Sequence, residues 1–89
     1  MASPAEVAND MAAHGRYWDG RDREVATTCR QAANLIRAFL NGDRVDGRSY
    51  HGLHKRLLRL DLRENTQGYP NFQRARLTLE ELKRRASGA

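Results

Sequence analysis

The segment REVATTCRQAANLIRAFLN, Arg23 to Asn41, decides the fold. Val25, Cys29, Ala32, Ile36, Phe39 and Leu40 recur at helical spacing, so their side chains stack on one side of an α-helix. Leu35 and Ala33 widen that stripe to about half of the circumference, more than a single neighbouring helix covers. Arg30, Asn34, Arg37 and Asn41 fall on the remaining, solvent-facing arc. A helix apolar over so wide an arc belongs in the middle of a bundle. Asp22 has the chemistry of an N-cap and Asn41-Gly42 that of a stop.

On the N-terminal side, Ser3-Pro4-Ala5-Glu6 has the form of a capping box, with proline at the first helical position, where its missing N–H costs nothing. Val7, Met11 and Trp18 then share a side, with His14 at its edge. Asp19-Gly20 closes this helix and Asp22 opens the next almost at once, which forces an antiparallel hairpin. On the C-terminal side, Asp46-Gly47-Arg48-Ser49 reads as a turn with Ser49 as the expected cap of a third helix. Residues 64–68 read as a loop. Pro70 or Asn71 opens a fourth helix with Phe72, Ala75, Leu79, Leu82 and Ala86 in a narrow stripe. Glu80→Arg84 and Glu81→Arg85 are spaced as favourable i,i+4 pairs.

No stretch alternates at period two for long enough to make a strand. The expectation is therefore an all-α protein, a small antiparallel four-helix bundle with helices roughly over 4–18, 22–41, 50–63 and 71–86. It forms a single helical domain over 1–89, frayed at 87–89. At 89 residues such a chain buries only about two-thirds of its unfolded surface, so self-association would supplement a modest core.

No apolar run approaches the roughly 20 residues that span a bilayer, and no basic segment precedes an apolar one as in a secretory signal. The one cysteine, Cys29, forms no internal disulfide, which makes the cytoplasm the expected compartment. Of the sixteen basic residues, fourteen are Arg and two are Lys. Residues 1–43 carry five Arg against six acids, net −1, whereas residues 44–89 carry eleven Lys/Arg against five acids, net +6. The basic character belongs to the second half, and the function is sought there.

The third helix concentrates it. Tyr50, Leu53, Leu57 and Leu60 make the face that meets the core. Arg56, Arg59 and Arg63 form a separate stripe beside it, with Arg48 and Lys55 near, and no acid on the same helix cancels them. Arginine forks suit carboxylate or phosphate oxygens, so these five residues are the candidate contact for an anionic partner. Leu58 and Leu62, with His51 nearby, form a third strip away from the core face, a candidate protein–protein or dimer patch.

Catalytic and metal chemistry find no purchase in the pattern. His51-x-x-His54 lacks the Cys, Asp or Glu that would complete a metal site at a recognised spacing. No Ser/His/Asp order or glycine-rich phosphate loop occurs, and no cofactor is expected. The connection between the second and third helices is too long for a helix-turn-helix. The composition fits a small non-enzymatic regulator or inhibitor that acts by stoichiometric contact with an acidic protein or nucleoprotein, as phage and mobile-element proteins of the anti-CRISPR or anti-activator type do. The alternative is a largely non-specific nucleic-acid binder using the basic second half. No membrane partner is expected, and a homodimer would suit the leucine patch.

Overall fold

The computed structural model describes residues 2–63 and 69–88, without the Arg63 side chain. The expected loop at 64–68 and the last residue of the expected frayed end lie outside the described residues. Four helices follow one another: α1 (Pro4–Trp18), α2 (Arg23–Leu40), α3 (Gly47–Arg63) and α4 (Phe72–Gly88). No strand occurs among the described residues.

Local chemistry sets most of the ends. The Glu6 N–H donates to Ser3 Oγ at 3.2 Å and the Ser3 N–H to Glu6 Oε1 at 3.4 Å, completing the capping box. The Val25 N–H donates to Asp22 Oδ1 at 3.2 Å. At the end of α2, Gly42 takes φ 78°, which only glycine adopts without strain. This lets the Gly42 N–H reach the Phe39 carbonyl and the Asp43 N–H the Ala38 carbonyl, the paired bonds of a Schellman cap.

The ends of α3 and α4 differ most from the sequence expectation. The third helix begins at Gly47 rather than residue 50, because Asp46, not Ser49, is the cap: Asp46 Oδ2 accepts from both the Ser49 N–H and its hydroxyl at 3.3 Å. Both residues have capping side chains, and the earlier one adds a turn to the helix. At the other end α4 starts after Asn71, whose side chain accepts from the Arg74 N–H at 2.9 Å, and runs on through Ser87 to Gly88.

Sequential helices run antiparallel, as their cross-contacts show. Asn9 meets Arg37 and Asp19 meets Arg30; Gln31 meets Arg56 and Glu24 meets Arg59; Tyr50 meets Lys83 and His54 meets Glu80. Asp10 meets Arg74, so α4 closes the bundle against α1. Helix α2 packs against the other three, whereas the backbones of α1 and α3 do not approach each other among the described residues. The wide apolar arc of α2 has this cause: Val25, Cys29, Ala32 and Ile36 are fully buried where the other helices converge. Leu53, Leu57, Leu60, Phe72 and Leu79 complete the core.

The α1–α2 contact is closer than leucine-sized residues permit. A methyl group placed on Gly15 would lie 2.8 Å from Arg30 Cγ and 3.5 Å from the Ala26 carbonyl oxygen. Ala8, Ala26 and Ala33 are buried too. Gly15→Leu should therefore wedge the pair apart and lower the melting temperature, whereas Ala13→Leu, exposed on the same helix, should change it little; circular-dichroism melts of both variants check this. Ile36→Ala, which empties a fully buried site, should cost about 2–5 kcal/mol.

Candidate binding surface on the third helix

Three flanks of α3 are occupied differently. Its core flank carries Tyr50, Leu53, Leu57 and Leu60, all buried. On the flank toward α2, Arg56 is half-buried and donates to Gln31 Oε1, and Arg59 pairs with Glu24. On the flank toward α4, His54 Nε2 lies 2.6 Å from Glu80 Oε2, and its ring stacks on Tyr50 at 5.8 Å.

These contacts revise the arginine stripe. Arg56 and Arg59 were expected to stand clear of acids, and no acid of α3 does oppose them. The partners come instead from α2, the acid Glu24 for Arg59 and the amide of Gln31 for Arg56, which a wheel drawn for one helix cannot show. An exposed ion pair of this kind contributes little to stability, but it and the Arg56–Gln31 hydrogen bond turn both guanidinium groups toward the bundle. The Arg63 side chain lies outside the described residues.

Arg48, His51, Lys55, Leu58 and Leu62 face outward and are all exposed. They are separated by three, four, three and four residues, the alternation that keeps side chains in one line along a helix. Arg48 and Lys55 have no ion pair or hydrogen bond among the described residues. Leu58 is 39% exposed and Leu62 78%. The line is thus basic where α3 begins and apolar where it ends.

Elsewhere most charges are matched across or along helices. Arg74 bonds Asp10 at 3.0 Å, and Arg37 bonds Asn9 at 3.0 Å. Glu81 takes both Arg84 and Arg85, at 2.6 and 3.0 Å. The expected Glu80→Arg84 pair is replaced, because Glu80 faces α3 and takes His54 together with Arg76 at 3.1 Å. Leu77, 49% exposed on the outer side of α4, was not singled out in the sequence, since a lone leucine between Arg76 and Thr78 carries no periodic signal.

Among the described residues no three His, Cys, Asp or Glu side chains are placed to share a metal ion. No helix among them is long and apolar enough to cross a membrane. Burial, with a smaller contribution from Asp10, pushes the Cys29 thiol up to about 12. Comparison with family models, curated proteins and solved structures finds no match to this chain.

Two measurements follow from these environments. Cys29 should resist Ellman's reagent in the folded protein at pH 8 and react fully in denaturant, because attack needs the thiolate. The hydrogen bond from His54, then that from Arg76, holds Glu80 below the usual carboxylate range. A lowered folded-state value stabilises above the unfolded value of about 4.3 and ceases to do so as pH falls through the folded one. Glu80→Gln should therefore melt below the wild type at pH 6, and the gap should narrow toward pH 3.

Proposed function

We propose that this chain is a non-enzymatic binding protein that engages a protein or nucleoprotein target stoichiometrically through the outward line of α3. The observation that carries the reading is the combination on one line of two uncommitted cations, Arg48 and Lys55, with two exposed leucines, Leu58 and Leu62. An acidic surface with an adjoining apolar patch complements both ends. The cations steer encounter and the leucines, once desolvated, slow dissociation.

This combination favours a protein surface over bare nucleic acid. A phosphate backbone would use Arg48, Lys55 and the other basic residues of the second half, but it offers nothing to cover Leu62. A second copy of the chain is a weaker occupant of the full line. A two-fold pairing centred on Lys55 would set lysine against lysine and Arg48 against Leu62. The leucine end alone remains open to self-association. The small size and mixed basic–apolar surface agree with a cytoplasmic regulator or inhibitor of phage or mobile-element type.

The test is affinity capture from host lysate, with and without nuclease, using wild type, Leu58→Glu/Leu62→Glu and Arg48→Glu/Lys55→Glu. Both double variants should keep the wild-type helical spectrum, since all four side chains are exposed. The leucine variant should lose the target whether or not nuclease is present. The cation variant should bind more slowly, with less dependence on salt. Capture that nuclease abolishes and the leucine variant retains would transfer the function to nucleic acid, where affinity falls steeply with salt.

A further inference from the structure

One end of the bundle holds a pocket that the α3 line does not use. It lies where the α2–α3 connection passes beneath the last turns of α4, and encloses about 300 Å³. Its walls include Phe39 from α2, Val45 from the connection, Tyr50 from α3 and Lys83 from α4; Asp43 and Arg44 stand at the connection. That volume is at the small end of ligand sites, enough for a single ring or a branched side chain.

The polar groups in it are poised rather than satisfied. Tyr50 is only 5% exposed, and what stays accessible includes its hydroxyl, which no described residue bonds. Its ring is held by Phe39 at 6.4 Å and His54 at 5.8 Å, with Lys83 Nζ 4.9 Å from its centroid. Burial, with a smaller effect of Glu80, raises the Tyr50 pKa, so at neutral pH the hydroxyl is a donor. Among the described residues Lys83 has no carboxylate partner and Arg44 has no ion pair.

The charges count toward a single anion. Arg44 and Lys83 stand against Asp43, leaving one positive charge; Asp46, nearby, is engaged at the start of α3, where it complements the helix dipole. The larger groove of about 550 Å³ beside α4 differs on this point. Its arginines are already engaged, Arg74 by Asp10 and Arg85 by Glu81.

We infer that the Tyr50–Lys83–Arg44 pocket is a binding site for a monoanionic carboxylate carried on an apolar body, the apolar part resting on Phe39 and Val45 and the carboxylate accepting from the Tyr50 hydroxyl, Lys83 and Arg44. The body could belong to a free organic acid or to the C-terminal residue of a peptide, and both present the same chemistry. The site goes beyond the α3 line and does not depend on it.

The probes are 3-phenylpropionate, its neutral amide, inorganic phosphate, and a pentapeptide ending in phenylalanine with free or amidated C-terminus. Each is titrated into the ¹⁵N-labelled full chain at pH 7. Saturable shifts clustered at residues 39–50 and 83–87 are expected with 3-phenylpropionate and absent with its amide. Lys83→Gln and Tyr50→Phe should each weaken binding by roughly tenfold, the effect of losing one hydrogen bond to a charged group. Tyr50→Phe keeps the ring in place, so its loss of binding reports the hydroxyl. Saturation by the free-acid peptide but not its amidated form identifies a chain terminus as a source; saturation by 3-phenylpropionate alone identifies a small acid. Equal binding of acid and amide, equal binding by Tyr50→Phe, competition by phosphate at similar concentration, or no saturable shift with any probe would overturn the assignment.

Discussion

The backbones of α1 and α2 touch, and the rest of the bundle is arranged around that fact. Gly15 sits against the Ala26 carbonyl and the Arg30 side chain. The short connection through Gly20, at φ 82°, turns the chain within a few residues. This hairpin leaves α2 little freedom about its axis. Val25, Cys29, Ala32 and Ile36 are then aimed between the remaining helices, and α3 and α4 have one apolar surface on which to close. Small residues on one side of α2 and larger ones on the other are two parts of a single packing solution.

What could be read from the chain was local. Caps at Ser3 and Asp22 involve partners three residues away, so their chemistry is visible in sequence. The apolar stripe of α2 shows itself because periodicity is a property of one helix. The start of α3 escaped by one turn, since Asp46 and Ser49 are both capping residues and only the backbone shows which is used. Register between helices was not legible at all. Glu24 reaches Arg59 from thirty-five positions away, and His54 reaches Glu80 from twenty-six. No pattern within either helix foretells those meetings.

The same limit applies to the two surfaces of interest. The line from Arg48 to Leu62 lies on one helix, and its leucines stood out against the core face before any packing was known. The pocket at the opposite flank of α3 draws Phe39, Arg44, Tyr50 and Lys83 from three helices and a connection. Each of these has an ordinary explanation alone: an aromatic in a stripe, a loop arginine, a core tyrosine, a solvated lysine. Their proximity is a product of antiparallel closure. The basic second half is accordingly not one surface but several. Part of it is neutralised within the fold, part faces outward along α3, and part borders a cavity.

Trp18, the sole tryptophan, stacks on Tyr69 with ring centroids 4.5 Å apart and takes the edge of Tyr17 at 5.3 Å. This cluster joins the last turn of α1 to the residues that lead into α4, the seam at which the bundle closes. Tryptophan emission consequently reports on one seam of the molecule, whereas far-ultraviolet dichroism averages over all four helices. If the bundle melts as a unit, the two signals coincide. If α4 peels away first, the fluorescence changes while most of the ellipticity remains, and the α1–α2 hairpin becomes visible as a separable unit of stability.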